Sequence, residues 1–367
     1  MNYQDRIAAC RDRLEDEAAD AVLLFPSVDM RYLSGFSDEP MERHLFLFVP
    51  ERGPAVFVAP ELYATEIRDE SWVDDVRTYG DGDDPLEIVE DVASDLGIRA
   101  GRLLVDDRMW ARFTQDLRGT LPDATFGLAS DVLGPVRVRK SDAERSALRR
   151  AGEVADAAMR DVRALGADAV GMTEDELAAY VEERLAAHGG SSTSFEPIIG
   201  SGPNGAKPHH SHGDREVQAG DPVVFDFGAR VDGYPSDQTR TVVFSEAPPA
   251  GFEDVHATVR DAQQAAIEVI EPGIPAAAVD NAARDVISDA GYGDRFIHRT
   301  GHGVGLEVHE EPYIVSGNER PLEEGMVFSV EPGIYLEGEF GVRIEDLVVV
   351  TEGGCERLNT TDRGWKV

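Results

Sequence analysis

Five polar residues in the second half of the chain interrupt runs that are otherwise apolar or rich in glycine. They are Asp226 in VVFDFG, Asp237 in PSDQTRT, His302 in TGHGVG, Glu331 in SVEPG and Glu345 in VRIED. A carboxylate buried in such a run loses its hydration and must be paired, protonated or bound to a cation. Four carboxylates brought together would also repel one another, so divalent cations are their simplest shared partner. The residue types therefore predict a single metal site.

The donor set indicates which metals would bind there. Oxygen and imidazole ligands without thiolate favour Mn, Co, Zn or Fe over a structural cysteine-type zinc site. Two such ions roughly 3.5 to 4 Å apart activate a water for hydrolysis. We therefore expect two divalent metal ions, with manganese as the first expectation and cobalt or zinc as alternatives, because metal availability can decide between ions that the same ligands accept.

The ordered set of motifs resembles the pita-bread metallopeptidases, the family that holds methionine aminopeptidase, aminopeptidase P and Xaa-Pro dipeptidase (prolidase). The resemblance runs from about Ser141 to the C-terminus and includes SGPNGAKPHH, the 11-residue step from Asp226 to Asp237 and FIHRTGHGVGLEVHE. It implies that one ion is bound by Asp237, His302, Glu331 and Glu345, and the other by Asp226, Asp237 and Glu345. Glu331 would also transfer the proton.

The resemblance also implies further residues around the metals. In the Xaa-Pro branch three histidines polarise the scissile carbonyl, hold the substrate and stabilise the oxyanion, and the matching residues are His209, His298 and His309. The first of these is either His209 or His210, and His209 is preferred because it lies 17 residues before Asp226. Arg343 resembles the arginine that orients an acidic ligand, and Arg240 is expected to pair with one of the carboxylates. Gly301 and Gly303, beside His302, are expected to leave room for the substrate backbone.

Two features favour the Xaa-Pro branch over methionine aminopeptidase. An α/β domain precedes the metal motifs, and the 14-residue step from Glu331 to Glu345 is shorter than in methionine aminopeptidases. The resemblance thus implies a homodimer that hydrolyses the Xaa-Pro bond of dipeptides or short peptides. Three alternatives stay open: an Xaa-Pro aminopeptidase acting on longer peptides, a metal-free relative such as creatine amidinohydrolase, and a non-catalytic peptide-binding module.

The order of helical and strand patterns predicts two domains. Residues 1–133 alternate amphipathic helices with short apolar strands, which indicates an α/β domain of the creatinase type. Residues 134–140, with Gly134-Pro135 and the basic run VRVRK, are expected to form a linker. Ser141 and Glu144 then predict a capping box that opens a long helix, so the catalytic domain would span residues 141–367.

The catalytic domain is expected to contain two similar halves. Each half reads as a helix pair followed by a β-ribbon that carries two acidic residues, which predicts an α+β pita-bread fold with pseudo-twofold symmetry and a curved antiparallel sheet. In the first ribbon, the run VDGYP (residues 231–235) predicts the reversal. Asp226 and Asp237 are then expected to face each other directly across the ribbon.

Composition excludes several classes of partner. The chain has 71 Asp and Glu against 35 Lys and Arg, with a net charge of -36, which disfavours nucleic acid and anionic membranes as partners. No run of 18 apolar residues is present, and the N-terminus has no apolar segment of the signal-peptide kind, so a cytoplasmic location is expected. The even spread of acidic residues and the scarcity of lysine are typical of a salt-rich cytoplasm.

We expect molar KCl to raise the melting temperature, because added ions screen the self-repulsion of this acidic chain. Thermal denaturation from dilute buffer to about 2 M KCl, well beyond the screening range of surface charges, is the measurement. A melting temperature that stays flat or falls over this range would contradict the salt-rich hypothesis.

Overall fold

The computed structural model describes residues 3–367. They divide into two compact units, one ending at Arg137 and the other beginning at Val138. The first part of the predicted linker belongs instead to a helix, Ser130–Arg137, which runs through Gly134-Pro135. Buried Val132 and Leu133 anchor this helix, so local packing overrides the helix-breaking tendency of the Gly-Pro pair.

The first unit is built on a six-stranded mixed sheet. Its strands are β1 (Ala21–Leu24), β2 (Phe46–Pro50), β3 (Val56–Pro60), β4 (Asp75–Tyr79), β5 (Arg102–Val105) and β6 (Thr125–Leu128). The spatial order is β4-β3-β2-β1-β5-β6; β2 runs antiparallel to both neighbours, and the other pairs are parallel. Strands β1, β2 and β3 are buried along their whole length, which explains their continuous apolar sequences.

Helices alternate with these strands along the chain. They are α1 (Tyr3–Asp16), α2 (Val28–Ser34), α3 (Ala64–Glu70), α4 (Pro85–Asp95), α5 (Ala111–Thr120) and α6 (Ser130–Arg137), with a 3₁₀ turn at Glu61–Tyr63. Asp84 caps α4 by accepting a hydrogen bond from the Leu86 N–H, and Pro85 occupies the first helical position, where its missing N–H costs nothing. The predicted α/β character of this unit is confirmed.

The second unit contains the longest helices of the described residues. Its helices are α7 (Asp142–Ala164), α8 (Glu174–Ala187), α9 (Phe252–Glu268) and α10 (Ala276–Asp289), with 3₁₀ turns at Gly166–Ala169, Gly202–Ala206 and Gly293–Arg295. The predicted capping box of Ser141 and Glu144 opens α7, and Thr173 with Glu176 opens α8 in the same way. No helix within residues 3–367 is both long enough and apolar enough to cross a membrane.

The strands of the second unit pair in antiparallel fashion. They are β7 (Ser192–Thr193), β8 (Ile198–Ser201), β9 (Val223–Phe227), β10 (Ala229–Val231), β11 (Tyr234–Pro235), β12 (Gln238–Val242), β13 (Gly301–Gly303), β14 (Glu310–Ile314), β15 (Val327–Val330), β16 (Gly333–Leu336), β17 (Phe340–Arg343), β18 (Asp346–Thr351) and β19 (Gly354–Arg357). Helices α7 and α8 pack against a sheet with the strand order β12-β9-β8. Helices α9 and α10 pack against a sheet with the order β14-β13-β15-β18-β19. Two smaller sheets have the orders β11-β10-β7 and β16-β17. The predicted α+β fold of two similar halves is confirmed.

The first ribbon has a different register from the one that the sequence suggested. Its reversal is a two-residue turn at Asp232 and Gly233, both with positive φ, so β9 residue Asp226 faces Thr239 of β12. The prediction that Asp226 and Asp237 face each other directly is therefore wrong. The register instead sets Asp237 opposite Gly228, two residues beyond Asp226, so the two carboxylates are diagonal neighbours on one face.

The second ribbon brings its two glutamates into direct opposition. Val330 faces Asp346 in one ladder and Gly333 faces Arg343 in the next. Because both ladders have the same register, Glu331 lies opposite the residue before Asp346, which is Glu345.

Arg240 is a buried cation that joins the two halves. Its Nη2 lies 2.6 Å from Asp346 Oδ1, and the two side chains are 1% and 0% exposed. Its Nη1 donates to the backbone oxygens of Thr239 and Glu345. The expectation that Arg240 pairs with a metal-site carboxylate is therefore wrong, because the alternation of strand β12 turns its side chain to the opposite face from Thr239.

Replacing Arg240 by methionine should lower the free energy of unfolding by about 3 to 5 kcal/mol, because Asp346 would be left buried without its nearest cation. The surface pair Arg149–Glu356, with side chains 39% and 47% exposed, provides the control. Arg149→Met should cost less than about 1 kcal/mol. Urea denaturation measures both, and equal losses would contradict a structural role for the buried pair.

Candidate metal centre

Strand ends and strand interiors position the five residues that the sequence singled out. Asp226 lies within β9, Asp237 immediately precedes β12, and His302 is the central residue of β13. Glu331 follows the last residue of β15, and Glu345 precedes the first residue of β18. Each of the five residues thus lies within a strand or directly beside one.

All nine predicted site residues line one cavity of about 710 Å³. They are His209, Asp226, Asp237, His298, His302, His309, Glu331, Arg343 and Glu345. Ligand atoms of Asp237, His302 and Glu345 lie within 4.8 Å of one another. His302 Nε2 is also 3.2 Å from Glu331 Oε1. The tertiary structure therefore brings together residues from both ribbons and from β13.

Burial makes the charges of this cluster costly. Desolvation raises the pKa of Asp226, and it raises those of Asp237 and Glu345 well above the usual range, with repulsion from neighbouring carboxylates adding to the effect. Burial acts in the same direction on Glu331, but the hydrogen bond and the charge of His302 outweigh it and lower the pKa to about 2. Without bound cations, the cluster would therefore retain protons at pH values where carboxylates are normally ionised.

In two carboxylates of the cluster, one oxygen accepts a hydrogen bond from a side chain and the other accepts none within residues 3–367. Arg343 Nη2 donates to Asp226 Oδ2, and Thr239 Oγ1 donates to Glu345 Oε2 at 2.7 Å. Within residues 3–367, the other oxygens, Asp226 Oδ1 and Glu345 Oε1, are buried without a hydrogen-bond partner. A buried unsatisfied oxygen is costly, and a divalent cation would satisfy both. The donor set therefore fits metal ions.

Arg343, Thr239 and Tyr335 form a network behind the carboxylates. Arg343 Nε donates to Thr239 Oγ1 at 3.0 Å, and its Nη1 donates to the Tyr335 hydroxyl at 3.0 Å. The sequence did not single out Thr239 or Tyr335. Thr239 could have been found, because it lies two residues after Asp237 and so shares its face of the strand. Tyr335 had no such signal, since its role depends on the β16-β17 hairpin.

His298 is held by both of its ring nitrogens. Its Nδ1 lies 2.8 Å from the Arg299 carbonyl oxygen, which can only accept, so Nδ1 carries the proton. Nε2 then accepts from the Tyr335 hydroxyl at 2.8 Å. Burial lowers the pKa of His298, consistent with a neutral ring. In this arrangement His298 positions Tyr335 and, through it, Arg343.

His309 lies beside His302, with ring centroids 4.1 Å apart at nearly a right angle. Burial, followed by the neighbouring charge of His302, lowers the pKa of His309 to about 4. Its ring is therefore neutral at pH 7.

The ambiguity between His209 and His210 is settled by their contacts. His209 lines the cavity. His210 Nε2 instead lies 2.7 Å from Glu174 Oε2, a carboxylate with a fully buried side chain. His212 likewise bonds to Asp175. The histidine that faces the site is thus His209.

The glycines beside His302 serve packing and not the substrate. A Cβ on Gly301 would lie 1.8 Å from the Ser329 carbonyl oxygen, and one on Gly303 would lie 2.2 Å from that of Glu311. The expectation that they leave room for substrate is therefore wrong. Strand β13 lies between β14 and β15, and their backbones occupy the space where side chains would be.

Comparison with known proteins gives the family. Metallopeptidase family M24 matches residues 146–352, and the Creatinase/Prolidase N-terminal domain matches residues 6–139. The probable dipeptidase PepE of Mycobacterium tuberculosis is 41% identical over 364 residues, which cover 97% of this chain and 94% of that protein. The Xaa-Pro dipeptidase of Lactobacillus helveticus is 38% identical over 367 residues, covering 96% of each chain.

A solved structure agrees with these sequence matches. The prolidase from Thermococcus sibiricus is 38% identical and superposes with a TM-score of 0.94, over 100% of this chain and 99% of that one. The chain therefore belongs to metallopeptidase family M24, with a creatinase/prolidase N-terminal domain preceding its peptidase domain.

Proposed function

We propose that this protein is a dipeptidase that hydrolyses the Xaa-Pro bond with the aid of two divalent metal ions. The observation that carries the proposal is the convergence of four carboxylates and His302 on one cavity, with two buried carboxylate oxygens left open. The substrate class is supported by full-length relatives that are named Xaa-Pro dipeptidase and prolidase. Proline lacks an N–H and has a fixed φ, so its recognition requires a dedicated pocket.

The family is dinuclear and metal-dependent. We propose that Asp237, His302, Glu331 and Glu345 hold one ion and that Asp226, Asp237 and Glu345 hold the other. When bound, the ions would polarise the scissile carbonyl and lower the pKa of a water. Manganese is the ion that we propose, and cobalt and zinc suit the same ligands.

Glu331 would transfer the proton. Its Oε1 accepts from Ser329 Oγ at 3.0 Å and lies 3.2 Å from His302 Nε2, which together fix its orientation. Held in this orientation, the carboxylate would accept a proton from the attacking water. The proton would then pass to the proline nitrogen as the peptide bond breaks.

His309 or His209 would stabilise the developing oxyanion. Because His309 is neutral at pH 7, its ring N–H can donate a hydrogen bond without placing another positive charge against the metals. His298 would act through Tyr335 and Arg343, which holds Asp226 in place.

The alternative functions fit these contacts less well. A metal-free amidinohydrolase or a peptide-binding module would need another partner for the open oxygens of Asp226 and Glu345. An Xaa-Pro aminopeptidase would use the same metal centre on longer peptides, so product analysis distinguishes it.

We also propose a homodimer, which the family resemblance implies, and a salt-rich cytoplasm, which the net charge of -36 supports.

Protein loaded with manganese or cobalt should release alanine and proline from Ala-Pro, and chelation should abolish the activity. Chromatography of the products is the measurement, with Ala-Ala as the control for proline preference. Equal cleavage of a tetrapeptide beginning Ala-Pro would favour the aminopeptidase. A protein that holds no metal and cleaves neither peptide would favour the binding module.

Glu331→Gln should keep much of the metal and lower kcat roughly 100-fold or more, because proton transfer is lost while the amide oxygen can still bind a cation. Asp237→Ala should lose both metal and activity, since Asp237 belongs to both proposed ligand sets. Elemental analysis and Ala-Pro turnover measure these effects. Glu339→Gln, on the exposed turn after β16, is the matched control. Wild-type turnover by metal-loaded Glu331→Gln would refute the assigned role.

A further inference from the structure

Arg299 is a cation in the cavity lining that takes no part in holding the acidic cluster. It is half-buried and lies directly after His298. Its guanidinium carbon lies 4.4 Å from the centre of the Tyr313 ring. In the part of the chain that the structure describes, this guanidinium forms no ion pair with a carboxylate. It is therefore a permanent positive charge that the protein itself leaves unmatched.

Strand pairing fixes where this charge lies. The Thr300 N–H donates to the Ile314 carbonyl at 3.0 Å, and His302 faces Tyr313 in the β13-β14 ladder. The segment that carries Arg299 is thus aligned with β14, which provides the ring beneath the guanidinium. This contact holds the guanidinium in position but uses none of its five N–H donors.

The other arginine of the cavity has a different role. Arg343 donates to Asp226, Thr239, the Tyr335 hydroxyl and the Pro208 carbonyl. Four of its five N–H donors are used within the protein, so it has no free pair of donors for a carboxylate of a substrate. Arg299 keeps the fork of donors that matches a carboxylate in a bidentate manner.

Arg299 is also close to the proposed site of bond cleavage. It lines the same cavity as His302, His309 and Glu331. The proposed pair of divalent ions would balance the charge of the four carboxylates of the cluster. A carboxylate at the end of a substrate would therefore need a cationic side chain with unused donors to bind it.

We infer that Arg299 binds the free C-terminal carboxylate of an Xaa-Pro dipeptide and so gives the protein its preference for dipeptides. The inference rests on the proposed Xaa-Pro activity. In a longer or C-terminally blocked peptide, a neutral amide occupies the place of this carboxylate and cannot form the paired charge-assisted hydrogen bonds. Arg299 is therefore a specificity-determining residue that contacts the substrate away from the bond that breaks.

The test compares Ala-Pro with Ala-Pro amide, using manganese-loaded full-length protein. The wild type should prefer the acid. Arg299→Gln should lower kcat/KM for Ala-Pro roughly 10- to 100-fold, chiefly through KM, and leave that for the amide nearly unchanged. Arg299→Lys should restore part of the preference, because it keeps the charge without the fork. Arg295→Gln, an exposed neighbour, should change neither substrate.

Metal content and melting temperature of each variant establish that the site is intact. If Arg299→Gln lowers kcat/KM equally for Ala-Pro and Ala-Pro amide, or if it keeps the full preference for Ala-Pro, the inference is overturned. In both cases the proposed dipeptidase activity would stand. A metal-loaded wild type that cleaves neither compound would instead remove the proposed function, and the inference with it.

Discussion

Burying four carboxylates around one cavity is the constraint on which the peptidase domain depends. Desolvation and mutual repulsion raise the pKa values of Asp226, Asp237 and Glu345. The protein offsets only part of this cost with its own groups. Arg343 and Thr239 each satisfy one carboxylate oxygen, while Asp226 Oδ1 and Glu345 Oε1 stay without partners in the described residues. Bound cations would complete the site, because they would satisfy those oxygens and remove the repulsion at once.

The two ribbons meet this constraint by different geometries. In the first, a two-residue turn makes Asp226 and Asp237 diagonal neighbours. In the second, Leu336 pairs with Phe340 across a three-residue turn, and the register sets Glu331 opposite Glu345. Both arrangements present two carboxylates on one face of a rigid ladder. The pseudo-twofold plan is thus preserved at the level of the site although the registers differ.

Arginines of the peptidase domain differ in whether their N–H donors are already used within the protein. Arg240 and Arg343 are buried and use their donors on backbone oxygens and carboxylates of the protein. Arg299 lies against the Tyr313 ring, and within residues 3–367 its guanidinium forms no ion pair with a carboxylate. The buried histidines His298 and His309 have lowered pKa values and add hydrogen-bonding capacity without charge. Of the two arginines that line the cavity, Arg299 is therefore the one whose charge would be available to a ligand.

The sequence by itself determined four of the acidic residues and the histidines that line the cavity, with their order along the chain, except for the choice between His209 and His210. It also determined both capping boxes and the repeated helix-ribbon plan, since each depends on residue type and local spacing. It could not determine which histidine of the His209-His210 pair faces the cavity, which carboxylate Arg240 binds, or that Gly301 and Gly303 pack against neighbouring strands. It also missed Thr239 and Tyr335. These features depend on strand register and on contacts between segments far apart in the chain. Because a one-residue change of register turns a side chain to the opposite face of the sheet, only the tertiary structure decided them.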